Sequence, residues 1–201
     1  MERLGYPFYS GADVVAIARS LIGKVLVTEF DGLRTSGRIV ETEAYEGVTD
    51  KASHAYGGRR TNRTEIMFGE GGKAYIYLCY GLHQMFNIVT NVHDTPHAIL
   101  IRAVEPMEGQ DIMLQRTGKK VADYTLTRGP GNVGKAFGFH TTQNGYSLQG
   151  DEIYIADDNY KVSAEKITAS PRIGVAYAAE DALLPYRFFI KGNPYVSGKI
   201  K

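Results

Sequence analysis

The clearest pattern along the chain is a period-two alternation of apolar and polar positions, repeated in several separate stretches. Lys24 to Phe30 alternates in this way, and the Asp31-Gly32 step that follows is a type I′ hairpin signal leading into a second strand over 35–45. Successive side chains of a strand point to opposite faces, so Glu41, Glu43 and Tyr45 are expected on one face and Val40, Thr42 and Ala44 on the other. Lys73 to Cys79 reads as a further strand, Gly81 as a tight turn, and Gln84 to Thr90 as the return strand. Ala98 to Val104 is a largely apolar strand with Arg102 as its charged interruption. More strands are expected at 152–156, 172–177 and 186–191.

Helical spacing is rarer. Ala12, Val14, Val15, Ile17, Ala18 and Leu21 recur at helix period, with Ser10 as the expected N-cap and Gly23 as the stop. Pro106 precedes an expected helix over 107–116, and Arg128-Gly129-Pro130-Gly131 opens a short one running to Phe137. From Glu46 to Gly72 the sequence is rich in Gly, Thr and Arg without periodicity, which predicts a long loop holding a short helical turn. Strands outnumber helices and do not alternate strictly with them. The expected class is therefore α+β: one domain over 1–201, a mainly antiparallel curved β-sheet with flanking helices.

Composition narrows the function classes. No run approaches the ~20 apolar residues of a membrane helix, and the first residues lack the apolar stretch of a secretory signal, so no membrane contact and a cytoplasmic location are expected. The single cysteine, Cys79, rules out an internal disulfide and a multi-cysteine metal cluster, and it reads as a small buried hydrophobe. His93 and His97 with Asp94 make a weak metal set, and no metal or cofactor is expected. A net charge of +1 leaves only local basic clusters as anion contacts: Arg59, Arg60 and Arg63; Lys119 and Lys120; Arg128 and Lys135; Arg187, Lys191, Lys199 and Lys201. Aromatic usage is tilted to tyrosine, with 14 Tyr and no Trp, and tyrosine suits a half-wet pocket.

The segment 37–102 gathers the candidate chemistry: Glu41, Glu43 and Tyr45, then His54, then Tyr75, Tyr77 and Tyr80, then Asn87 and Arg102. A carboxylate beside flat rings can deprotonate a water and oppose a developing positive charge. Arg102 among apolar neighbours needs a carboxylate partner. The same residues also admit a plainer reading, with solvent-facing glutamates, packing tyrosines and a structural histidine. Neither Gly57-Gly58 nor Gly69–Gly72 is a phosphate loop, because no Lys-Ser/Thr follows into a helix.

The combination of Gly37–Tyr45, the Gly-Gly-Arg-Arg-Thr-Asn-Arg run at 57–63, Met67-Phe68 and Ala74–Asn87 resembles the alkyladenine (3-methyladenine) DNA glycosylase family. Arg102–Pro106, Arg128–Asn132, Pro171–Val175 and Arg187–Ser197 extend the likeness in order over almost the whole chain. The resemblance implies a monofunctional enzyme of base-excision repair that flips a damaged purine out of double-stranded DNA and hydrolyses its glycosidic bond. It implies a monomer and a β-hairpin that inserts into DNA, with Tyr80 as the wedge and Leu82 beside it. It also implies Glu43 as general base, Arg102 and the carbonyl of Ile173 around the attacking water, and Tyr45, His54 and Tyr77 stacked on the base. Asn87 takes the position that crowds an exocyclic amino group. Arg59, Arg60, Arg63, Arg128 and Lys135 are the expected backbone contacts, and His83, where other members carry an aromatic, is a further expected DNA contact. Two extra residues stand in the loop Asn91–Pro96, which bears on how Arg102 approaches Glu43. The rival readings are a non-catalytic damaged-DNA-binding module and a carbohydrate hydrolase or lectin.

Overall fold

Thirteen residues, Leu33–Tyr45, form the longest strand and set the geometry of everything around them. The computed structural model describes residues 1–198; Lys199 and Lys201 of the last basic cluster lie outside the described residues. In chain order the elements begin with β1 (Glu2–Arg3), α1 (Tyr6–Tyr9), α2 (Val14–Ser20), β2 (Val25–Phe30) and β3 (Leu33–Tyr45). A long loop with 3-10 turns at Tyr56–Gly58 and Glu65–Phe68 leads to β4 (Ala74–Cys79), β5 (His83–Thr90) and β6 (His97–Glu108). Then come α3 (Gln110–Thr117), α4 (Pro130–Ala136), β7 (Ile153–Asp157), β8 (Ile167–Ser170), a 3-10 segment at Ala176–Leu183, and β9 (Arg187–Ile190).

The strands make one α+β sheet in the order β1-β7-β2-β3-β6-β5-β4, and every described strand pair is antiparallel. The free edge of β3 is shared: β2 pairs with residues 33–38, and β9, itself paired to β8, takes 41–43. The β2–β3 turn forms as expected, with Asp31 and Gly32 both at positive φ.

Alternation divides the sheet into two faces with different chemistry. Ala44, Ala74, Ile76, Phe86, Ile88, Ile99 and Ile101 point into the main core, where they meet Val14, Ile17 and Ala18 of α2, Met113 of α3 and Val133 of α4. The residues between them (Glu43, Tyr45, Tyr75, Tyr77, Asn87, Leu100 and Arg102) are thereby sent to the opposite face. A bulge interrupts this at Ile39/Glu41. There Val40 leaves the face expected of it and packs with Ala103, Phe189 and Val196, while Ile39 stays in the main core.

Several expected boundaries differ. The N-cap of α2 is Asp13, whose side chain accepts from the N–H of Ala16 at 2.8 Å; Ser10 instead closes α1. The expected helix over 107–116 begins only at Gln110, because β6 runs on through Pro106. Pro106 is tolerated at a register shift of the ladder, and Gly109 at φ 73° makes the turn into α3. The strand expected at 172–177 is absent: Pro171 and Gly174 (φ 79°) break it, and the chain goes into the 3-10 segment. Strands β1 and β8 carry too little alternation to be read from sequence.

Helix α4 backs the β4–β5 hairpin through Gly134, where a Cβ would stand 1.9 Å from the carbonyl oxygen of Gln84. No side chain fits without moving β5. Gly134→Ala is therefore expected to cost about 3 kcal/mol, at the upper end of overpacking effects, read as a lowered denaturant midpoint in chemical unfolding.

Candidate active site

Two glutamates of β3 and two arginines from distant strands form the floor of the site, and all four are buried. Nε of Arg102 and Nε of Arg187 both donate to Oε1 of Glu41, at 2.9 and 2.6 Å. Ser197 completes the set: its N–H donates to Oε2 of Glu41 at 2.7 Å, and its hydroxyl accepts from Arg102 at 3.1 Å and donates to Glu41 at 3.0 Å. Glu43 therefore does not stand alone. Its Oε2 accepts from the Tyr45 hydroxyl at 2.9 Å and lies 3.3 Å from Nη1 of Arg102, and its Oε1 accepts from the N–H of Ile173 at 2.8 Å. Two carboxylates balance two guanidiniums, so the ionised form of each is matched at close range.

The solvent-facing reading of Glu41 and Glu43 is thus wrong: both are fully buried. Ile173 does reach Glu43, but the contact is through its N–H, and no contact of its carbonyl to the carboxylate is found among the described residues. The loop Asn91–Pro96 does not keep Arg102 away, because its extra residues sit beyond the last paired residues of β5 and β6, where Thr90 faces His97.

Beside this floor lies a slot, part of it open to solvent, lined by Tyr45, His54, Tyr75, Tyr77, Asn87 and Tyr177 among others. His54 and Tyr77 meet edge to face with centroids 4.8 Å apart, too close to admit a planar ring between them. They form one wall of the slot, and Tyr45 is among the remaining aromatic residues that line it. Nδ2 of Asn87 is committed to the carbonyls of Tyr75 and Met85 at 3.1 and 3.2 Å. Burial, helped by Arg63 and Arg59, pushes the His54 imidazole down to about 4, so the ring is neutral near pH 7. Tyr45 is driven well above the ordinary phenol range, by burial first and the adjacent Glu43 charge second.

The β4–β5 hairpin ends in a three-residue tip. Tyr80 and Gly81 both take positive φ, and the N–H of Leu82 closes the turn on the carbonyl of Cys79 at 3.1 Å. Because β4 stops at Cys79, Tyr77 can line the slot while Tyr80 leaves the sheet. Tyr80 is 91% exposed and Leu82 78%, which is unusual for an aromatic and an aliphatic residue held side by side. His83 turns from the tip toward Gly131 at the start of α4.

The basic residues divide. Arg59 lines an exposed cavity beside His54. Arg60 is tied to Glu65 and Asp94 and lies over Phe68, so its charge is already neutralised within the protein. Arg63 turns inward onto Tyr77. Arg128 donates to the carbonyl of Pro194, and Lys135 to the carbonyl of Thr117 at 3.1 Å. His93 pairs with Asp94, and His97 with the Asn91 amide.

Sequence reading missed four contributors. Arg187 and Ser197 share Glu41, yet nothing near either of them signals a partner on β3. Arg172, in a buried pair with Asp50, donates to the carbonyl of Ala44 at 2.8 Å and lies 4.8 Å from the Tyr45 ring, fixing the segment that presents Ile173. Tyr177 anchors its hydroxyl to the carbonyl of Ala52 at 3.1 Å and closes one side of the slot.

A buried carboxylate paired with a guanidinium at the edge of an aromatic slot, next to an exposed aromatic wedge, is the equipment of an enzyme that handles a planar base. Residues 8–194 match the family model described as Methylpurine-DNA glycosylase (MPG), and the chain belongs to that family. It is 46% identical over 200 residues to a protein of Bacillus thuringiensis (strain Al Hakam) named "Putative 3-methyladenine DNA glycosylase", covering 96% of this chain and 97% of that one. A protein of the same name from Desulfitobacterium hafniense (strain Y51) is 43% identical over 206 residues, covering 99% and 100%. Membership places the chain among the DNA glycosylases, enzymes of DNA repair.

The lowered His54 value has a measurable sign. Between about pH 6.5 and 4 the unfolded chain binds a proton on this ring that the folded protein refuses, so stability falls as the pH drops through that window. His54→Asn is expected to remove about one proton of this uptake, seen as a flatter unfolding free energy between pH 6.5 and 4 than in the wild type.

Proposed function

We propose that the protein is a monofunctional glycosylase that hydrolyses the N-glycosidic bond of alkylated purines flipped out of double-stranded DNA, leaving an abasic site. The observation that carries this reading is Glu43: fully buried, held by Tyr45, Ile173 and Arg102, at the edge of the slot formed by Tyr45, His54 and Tyr77.

Three donors occupy Glu43, and two carboxylate oxygens offer about four lone-pair sites. A site therefore remains for a water. Glu43 takes the proton of that water as its oxygen adds to C1′, and the C1′–N bond breaks with its electron pair going to the base. The sugar passes through an oxocarbenium-like state, which the Glu43 charge opposes directly. Arg102 is the positioning residue: it touches both glutamates and fixes the carboxylate that does the chemistry.

Tyr80 fills the gap left in the base stack, with Leu82 pressing beside it, which the exposure of both side chains supports. The extruded purine lies between Tyr45 and the His54–Tyr77 wall, and Asn87 in the slot's lining excludes an exocyclic amino group. Stacking supplies only ~1–3 kcal/mol per base, so selection also draws on the easier extrusion of damaged bases. No lysine stands among the described residues of the slot, which supports attack by water over attack by an amine. Arg59 remains the clearest candidate for a phosphate contact. A monomer suffices, because every group in this scheme comes from one chain.

Incubation with methylated duplex DNA is expected to release free 3-methyladenine and leave alkali-labile sites. Glu43→Gln should slow single-turnover release by at least about a thousandfold while keeping affinity for duplexes that carry an abasic site. Wild-type protein that leaves the methylated bases in place would refute the reading.

A further inference from the structure

Both stacking surfaces of the slot already face a guanidinium. Arg172 lies 4.8 Å from the centroid of Tyr45, and Arg63 lies 4.6 Å from that of Tyr77. An electron-rich ring selects a cationic ligand through its quadrupole, and here each ring has spent part of that attraction on an arginine. The two arginines differ in one respect. Arg172 is buried against Asp50, which cancels its charge at close range. Arg63 has no carboxylate within ion-pair distance among the described residues, and its polar partners are all neutral: the Tyr75 hydroxyl, which accepts from Nε at 3.2 Å, and the His54 ring, with Nδ1 2.8 Å from Nη2.

An uncompensated positive charge is thus held at the rim of the slot. It lines a cavity that also contains Arg102, Tyr45, Tyr77 and Ile173, so it adjoins the space between the wedge and the catalytic carboxylate. Arg63 as a whole residue is exposed, while its guanidinium rests against Tyr77, Tyr75 and His54.

Resting on the base-release reading above, we infer that Arg63 stabilises the electron pair arriving on the departing base, opposite the carboxylate that faces the sugar. When C1′–N breaks, the base gains one unit of negative charge whatever its starting state. A cationic alkylpurine goes from +1 to neutral, and a neutral purine moves toward an anion before it takes up a proton from solvent. A fixed positive charge favours that change in both cases. It acts oppositely on the two ground states, because it repels a bound cationic base and does not repel a neutral one. Arg63 therefore speeds the chemical step on both substrates and weakens the binding of cationic ones.

The experiment is single-turnover base release from duplexes carrying 7-methylguanine (cationic) or hypoxanthine (neutral), with enzyme concentration and salt varied. Arg63→Gln is expected to lower the saturating rate on both by on the order of tenfold, the size of one charge acting across a ring's thickness in a partly desolvated site. Its half-saturating concentration should fall for 7-methylguanine and not fall for hypoxanthine, and Arg63→Lys should recover most of the rate. Arg63→Met gives the same comparison should the glutamine variant fail to fold. Unchanged saturating rates in both neutral variants would overturn the inference. So would an equal loss of affinity on both duplexes with the salt slope reduced by about one, which is the signature of a phosphate contact. Wild-type protein that releases neither base sinks the functional reading itself; wild-type release with an indifferent Arg63 sinks this inference alone.

Discussion

Four charges share one dry space on the far side of the sheet from the helices, and the structure depends on their balance. Glu41 and Glu43 face Arg102 and Arg187, and each of the four side chains is at most 8% exposed. Burying an ion costs several kcal/mol even after relaxation, so none of the four could stand here alone. Together they sum to zero, and the Ser197 N–H and hydroxyl fill sites on Glu41 that the arginines leave open. Glu41 is the hub and Glu43 the beneficiary. With Glu41 holding both arginines in place, Arg102 reaches Glu43 without being drawn wholly onto it, which leaves Glu43 with three protein contacts among the described residues.

The same arrangement ties chain segments that are remote in sequence. Strand β3 supplies the acids, β6 and β9 the arginines, and the turn after β9 supplies Ser197. Pro171–Gly174 is pinned separately by the Arg172–Asp50 pair, which aims the Ile173 N–H at Glu43. The proposed chemistry at one carboxylate thus rests on contacts from residue 41 to residue 197. Such a site is cross-linked by contacts from several segments, with the hairpin tip at Tyr80 and Leu82 as its exposed counterpart.

Much of this was legible in sequence because period-two alternation is a local signal. It placed Glu41, Glu43 and Tyr45 on one face, and Gly81 correctly ended β4 in time for Tyr80 to leave the sheet. The α+β class followed from the same pattern. Legibility failed where one residue broke the period or the partner was distant. The bulge beside Glu41 reversed Val40, and no local feature foretold it. Pro106 looked like a helix start because a proline in a strand needs a register shift, which only the partner strand reveals. Arg187, Ser197 and Arg172 could be placed in a motif but not given a partner, since their contacts span more than a hundred residues. The inward turn of Arg63 was hidden in the same way, by a loop that carries three arginines of similar local appearance.

If the charge cluster is what makes Glu43 competent, Arg102 is the residue to perturb. The direct measurement is the single-turnover rate of 3-methyladenine release by Arg102→Gln at saturating enzyme, alongside its affinity for abasic duplex. The account predicts a rate lowered by about a hundredfold, the usual loss for one well-placed electrostatic donor, with abasic affinity unchanged. A variant that releases the base at the wild-type rate would contradict it.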